Sequence, residues 1–331
     1  MLNRRKLLHL AAISTTAAFI PQRNFGRGCL LGEQDINIDN INSVARSSGF
    51  TFCLNMATIR GHKLGFVNEL RTAARAGFRS VEIWMDSLKQ YLDGGGSIRD
   101  AAVIIGDLGL TIENCIGFAE WIVDDEARRK KAFEQLKYEM DLLAGIHCRR
   151  LAAPPMGATQ GPVLELKAVA ERYRAIVELG VQKGVIPQLE LWGFATNLKH
   201  VSEVAYVAME SGHPAAKVLL DVYHIFKGGS SFDTLHFVHP AGMEVFHIND
   251  YPANLAPSEI TDADRIYPND GIAPLEKILP LLVEPSKPLV LSFEVFNPNY
   301  YKQDPLLVAQ TSLRKMKVVT EKLIKIPADQ S

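Results

Sequence analysis

The chain has 331 residues, 47% of them hydrophobic, and its 36 basic side chains nearly balance 37 acidic ones for a net charge of −1. That length and apolar content suffice for one large core, so no division into several domains is required. The balanced charge argues against nucleic acid as a partner, because nothing supplies the basic face that phosphate-backbone binding requires.

At the N-terminus, Asn3-Arg4-Arg5-Lys6 leads into an apolar, small-residue run from Leu7 to Ile20, the basic start and short apolar stretch of an export signal. The paired arginines resemble a twin-arginine signal, the route for proteins exported already folded, so the mature protein is expected in the periplasm or otherwise outside the cytoplasm. The run is too short, and too interrupted by Ser14, Thr15 and Thr16, for a membrane span. Residues 1–20 are thus expected to be a signal peptide, residues 21–48, polar and rich in Asn, Gly and Arg, a linker, and residues 49–326 the folded domain. Cys29, Cys53, Cys115 and Cys148 show neither a Cys-x-x-Cys pair nor a zinc-like spacing and read as small buried hydrophobes.

From residue 51 onward, strand-like and helix-like runs alternate, the pattern of a parallel sheet with crossover helices. The first strand is expected over Phe50–Asn55, and a helix follows over Leu64–Ala76, where Phe66, Leu70 and Ala73 recur at helical spacing and Gly77 stops it. A strand over Arg79–Trp84, a helix over Ile98–Leu108, a strand over Leu110–Gly117 and a long helix over Asp124–Ala144 continue the scheme. A short strand over Cys148–Ala152 precedes a helix over Pro162–Lys183 and a fifth strand from Ile186 to Glu190. Then come a helix over Leu198–Ser211, a strand ending at Asp221, a short helix near Phe232–Val238 and a strand ending at His247. An irregular insertion over Tyr251–Gly271, a helix over Pro274–Val283, a strand ending at Glu294 and a helix over Asp304–Ile324 complete the chain. Eight such units predict a single (β/α)8 TIM barrel, with its site at the C-terminal ends of the strands. Gly94-Gly95-Gly96 lacks the phosphate-binding spacing of an open doubly wound sheet and reads as a loop.

Four of these strands end on a side chain suited to metals: Glu190, Asp221, His247 and Glu294. They are too far apart in sequence for one helix or loop, but successive barrel strands could deliver all four to one ion. Three carboxylates and one imidazole suit one divalent cation, Mn2+, Mg2+, Co2+ or Zn2+, rather than a soft thiolate site. Glu82 ends the second strand on the same face and is expected to orient substrate or a supporting group.

The pieces Gly77-Phe-Arg-Ser-Val-Glu82-Ile-Trp, Leu189-Glu190, Leu220-Asp221-Val-Tyr-His224, Phe246-His247-Ile-Asn-Asp250, Arg265-Ile-Tyr-Pro-Asn-Asp270-Gly and Ser292-Phe-Glu294-Val-Phe resemble the xylose isomerase-like TIM barrels. This superfamily holds sugar isomerases and epimerases, inosose dehydratases and apurinic-site endonucleases. The resemblance implies a cation, Mn2+ first, held by Glu190, Asp221, His247 and Glu294, with His224 touching substrate. It also implies, by likeness to the ketose 3-epimerases, that Glu190 and Glu294 double as the catalytic bases.

Two positions depart from those epimerases: Thr196 stands where a second glutamate is expected, and Ala253 where an arginine is expected. Asn249, Asp250 and Arg265 are therefore candidates for alternative substrate contacts, and Trp192, two residues past a proposed ligand, for stacking on a sugar ring. Trp84 and Trp121 read as packing, and His62, His200, His213, His236 and His239 as surface or capping residues. The expected activity is a metal-dependent isomerase or epimerase of an unphosphorylated sugar or keto-sugar derivative. A dehydratase of a keto-polyol and a non-catalytic carbohydrate-binding barrel are the alternatives. The expected partner is a small-molecule sugar, with homo-oligomerisation left open.

Overall fold

The computed structural model describes residues 49–238, 240–283 and 287–324. The expected signal and linker, and His239, lie outside these residues. Eight strands form one parallel sheet: β1 (Phe50–Asn55), β2 (Ser80–Trp84), β3 (Thr111–Ile116), β4 (Arg150–Ala153), β5 (Ile186–Glu190), β6 (Lys217–Asp221), β7 (Met243–Ile248) and β8 (Leu289–Phe293). Their order is β3-β2-β1-β8-β7-β6-β5-β4. The two end strands, β3 and β4, lie alongside each other and bring the sheet round into the expected barrel. Arg150 on β4 crosses this seam, its Nη1 donating to the Glu113 carbonyl at 2.9 Å.

Ten α-helices surround the sheet in the described residues: α1 (Ala57–Arg60), α2 (Phe66–Ala76), α3 (Met85–Asp93), α4 (Ile98–Asp107), α5 (Glu126–Gly145), α6 (Leu166–Lys183), α7 (Val201–Glu210), α8 (Val222–Gly228), α9 (Leu275–Leu282) and α10 (Pro305–Ile324). On α2 the spaced apolar residues Phe66, Leu70 and Ala73 are buried, and Gly77 ends the helix in the left-handed region at φ 97°. Three helices were not anticipated: α1, α3 and α8 begin within two residues of a strand's end. The expected short helix near Phe232 is a 3-10 helix over Phe232–Phe237. Among the described residues, no helix is long and apolar enough to cross a membrane.

Side chains alternate across each strand, so every second residue enters the barrel. Cys53, Ile116, Ala152, Leu219, Val245 and Val290 form one small buried cluster, distinct from the main core between sheet and helices. Two residues further along their strands stand Asn55, Asp221, His247 and Ser292, all buried. At the N-terminal end, Arg150 closes the barrel through ion pairs to Glu113 at 3.1 Å and Glu244 at 2.7 Å. The opposite end is where polar side chains collect around a cavity.

Candidate metal and substrate site

Strand register sets the first layer of the site. Asp221 pairs with His247 across β6 and β7, and His247 with Ser292 across β7 and β8, so Glu294 projects from just past the end of β8. Asp221, His247 and Glu294 each offer a ligand atom, and these atoms lie within 4.8 Å of one another. Glu190, the last residue of β5, stands outside that trio but lines the same cavity as Glu294. Three of the four expected ligands are therefore gathered, and the fourth faces the space beside them.

His247 is held from behind. Its Nε2 lies 2.9 Å from Glu82 Oε2. Asn55, Asn114 and Ser292 each donate to the Glu82 carboxylate at 2.7 Å, fixing it. A carboxylate on one imidazole nitrogen aims the other, and here that is Nδ1. Nδ1 faces Glu294 Oε2 at 3.3 Å and Asp221 Oδ2 at 3.6 Å. His247 Nδ1 and Glu190 Oε2 are buried with no hydrogen-bond partner. Buried polar atoms are normally paired, so two orphaned atoms beside two carboxylates are what a site for a divalent cation presents.

The remaining expected contacts divide into two groups. His224, Arg265 and Trp192 line the cavity. Glu82, Asn249 and Asp250 do not, because each is committed elsewhere. Asn249 donates to both Asp221 oxygens, at 3.1 and 3.2 Å, and accepts from the Tyr223 amide at 3.0 Å, so it positions Asp221. Asp250 accepts four backbone N–H groups, from Tyr251 and Ala273 on one oxygen and from Asn269 and Gly271 on the other, leaving no capacity for substrate. It is the clasp of the insertion. Glu82 supports His247 instead of touching a sugar.

The clasp delivers Arg265. An antiparallel bridge between Asp250 and Ile266 folds the insertion back over the barrel mouth. Arg265 is 1% exposed. Its Nη1 donates to Glu294 Oε2 at 2.8 Å and Asp221 Oδ2 at 3.1 Å, its Nη2 pairs with Asp262, and its guanidinium stacks 4.2 Å from the Tyr223 ring. Asp270 instead pairs with Lys315 away from the cavity. Thr196 donates to the Thr159 carbonyl, and Ala253 is exposed in the insertion.

Burial and neighbouring charge set the protonation states. Burial, with Glu294 and Glu82 nearby, pushes the Glu190 carboxyl up to about 8. Burial would also raise Asp221, but Arg265 and then His247 hold it well below the usual carboxylate range. Burial and Arg265 push His224 down to about 4, so its imidazole is neutral.

Sequence reading missed several members of the site. Asn55, at the end of β1, bridges Glu82 and Glu294, donating to the latter at 2.9 Å. Trp84 and three phenylalanines, Phe118, Phe194 and Phe296, line the cavity, whereas Trp121 is buried elsewhere, donating to the Pro154 carbonyl. The signal was available, since each of these aromatics closely follows a strand end. Cys53, Cys115 and Cys148 are buried and free, as expected.

Residues 70–318 match the family described as xylose isomerase-like TIM barrel. The inosose isomerase of Bacillus velezensis is 24% identical over 280 residues, covering 82% of this chain and 96% of the relative. Among solved structures, the IolI protein with a bound zinc atom superposes with a TM-score of 0.75 at 22% identity, covering 84% of this chain and all of that one. An L-ribulose 3-epimerase superposes with a TM-score of 0.67 at 18% identity, covering 84% of this chain and 99% of that one. At these identities the structural likeness fixes the fold.

Proposed function

Because the chain belongs to the xylose isomerase-like TIM barrel family, we propose that it is a divalent-metal-dependent isomerase or epimerase of an unphosphorylated sugar or keto-sugar derivative. The observation that carries this reading is the convergence of Asp221, His247 and Glu294, with Glu190 lining the same cavity. The inosose isomerase and epimerase relatives support the reaction class.

When bound by Glu190, Asp221, His247 and Glu294, a divalent ion supplies Lewis-acid polarisation of a substrate carbonyl. The chain's own residues carry the proton transfers. Glu190 and Glu294 are the pair that removes a proton from the carbon beside the carbonyl and returns one. They are not equivalent: both Glu294 oxygens accept hydrogen bonds, from Asn55 and Arg265, whereas Glu190 Oε2 is unpaired. Glu190, which a bound cation would hold as the carboxylate that burial alone disfavours, is accordingly the first acceptor. Neutral His224 and the Arg265 guanidinium orient substrate oxygens at the cavity wall. The carboxylate-rich ligand set suits Mn2+, and the zinc-binding relative supports Zn2+ as a second candidate. Residues 1–20 are the proposed signal that takes the barrel domain out of the cytoplasm, to a compartment where phosphorylated sugars are scarce.

The test is to run candidate keto-sugars with the purified protein in deuterium oxide. Deuterium at the carbon next to the carbonyl, with no loss of water and with loss of exchange in Glu190→Gln, is the expected result. Elimination of water would assign the dehydratase reading, and binding without exchange or turnover across the panel would assign the non-catalytic barrel.

A further inference from the structure

The polar floor accounts for only part of the cavity, which measures 380 Å3. Its walls are aromatic: Trp84, Phe118, Trp192, Phe194 and Phe296. These rings form a continuous arc. Phe296 and Trp84 have centroids 5.8 Å apart, Trp84 and Phe118 5.3 Å, Phe118 and Trp192 6.2 Å, and Trp192 and Phe194 5.2 Å. They come from the ends of β8, β2, β3 and β5, so the barrel's curvature aligns them. Four are half-buried, and Phe194 is 44% exposed. The arc therefore presents ring surface to the cavity instead of spending it on the core.

Charge narrows what this surface can take. Among the described residues lining the cavity, Arg265 is the one cation, and Asp221, Glu294 and Asp262 already surround it. A phosphate or carboxylate group lying against the arc would meet ring surface and no uncommitted cationic side chain, the proposed divalent ion being claimed by the sugar oxygens on the floor. A monosaccharide held by its oxygens on the floor offers one C–H face to stack, which one or two rings would cover. The rest of the arc needs an apolar partner.

We propose that the aromatic arc is a subsite for an uncharged aryl or similarly flat apolar substituent, and that the substrate class is a neutral keto-glycoside, for which a simple glycoside serves as an unreactive binding probe, rather than a free or phosphorylated sugar. This rests on the reading of the floor as a sugar site. Aromatic pairs add to plain area burial, and the half-buried rings of the arc keep ring surface available for a further one. The floor orients the sugar and the arc holds the aglycone.

The experiment is a fluorescence titration of the full-length protein with phenyl β-D-glucopyranoside and, separately, methyl β-D-glucopyranoside. Trp84 and Trp192 lie in the arc and report occupancy. The phenyl glycoside is expected to bind roughly tenfold more tightly than the methyl glycoside, as burying one aromatic ring against others allows. Phe118→Ala should remove most of that difference, and so should Phe194→Ala, whose exposed position protects the fold. Equal affinities for the two glycosides, or a preference unchanged in both variants, overturn the subsite while leaving the sugar site standing. Binding of neither glycoside overturns the subsite and the sugar-site reading together.

Discussion

Arg265 Nη1 and His247 Nδ1 address the same two oxygens, Asp221 Oδ2 and Glu294 Oε2. Arg265 reaches them at 3.1 and 2.8 Å, and His247 at 3.6 and 3.3 Å. The guanidinium thus serves as a built-in counter-charge for carboxylates that an ion would also claim. Replacing Arg265 with Ala leaves two buried carboxylates without it, and breaking a buried pair in this way costs about 3–5 kcal/mol. Thermal melts of Arg265→Ala should show a lower metal-free Tm and a larger rise on adding Zn2+ or Mn2+ than the wild type. An unchanged metal-induced rise would show that the guanidinium and the ion do not compete.

Glu82 sets the aim of His247. Substituting Gln keeps the shape but removes the charge that holds the imidazole, and such supporting partners are typically worth about 10- to 100-fold in metal affinity. Chelator competition with Glu82→Gln should show a loss in that range. An unaltered affinity would mean that strand geometry alone orients the ring.

Asp250 fastens the insertion that carries Arg265. Its four backbone hydrogen bonds, at 2.8 to 3.0 Å, would be lost in Asp250→Ala. A Cβ on Gly271 would come within 2.1 Å of the Tyr251 carbonyl oxygen, so Gly271→Ala attacks the same clasp. Limited proteolysis should cut both variants within residues 251–271 faster than the wild type. Matching cleavage rates would show that the insertion is held by other contacts.

Glu69, which is not among the residues lining the cavity, gives a separate pH signature. Burial raises its carboxyl above the ordinary 4.5, partly offset by the hydrogen bond from Ser87 at 2.8 Å. A raised folded-state value means that the unfolded chain gives up the proton more readily, so this contribution is complete below about 4.5 and declines as pH rises through the folded value. Glu69→Gln removes the titration. The Tm of the variant relative to wild type should therefore increase from pH 4 to pH 7, and a constant difference would contradict the assignment.

The four metal-suited residues were legible because each closes a short apolar run, and period-two alternation puts all of them on the barrel's inner face. The order of strands and major helices was legible for the same reason. The helices α1, α3 and α8 were not, because they follow their strands with almost no turn residues between: Trp84 passes directly to Met85, and Asp221, the last residue of β6, also caps α8 by accepting the His224 amide. Arg265 could not be placed, since it lies in an insertion with no periodicity and its position depends on hydrogen bonds to Asp250, 15 residues earlier. Asp250 was misjudged on the same ground, as a carboxylate near a ligand looks like a substrate contact until its four amide partners are seen. Of the aromatic arc only Trp192 was legible, because the other members come from the ends of separate strands and each by itself reads as packing.

Glu190, Asp221, His247 and Glu294 are proposed to hold one divalent cation at the barrel mouth. Elemental analysis of the wild-type protein beside Asp221→Ala and His247→Ala, each equilibrated with Mn2+ or Zn2+ and then dialysed, tests it most directly. One ion per wild-type chain is expected, with a large loss in both variants while circular dichroism shows them folded. Full metal content in either folded variant, or a wild-type protein that takes up none, would contradict it.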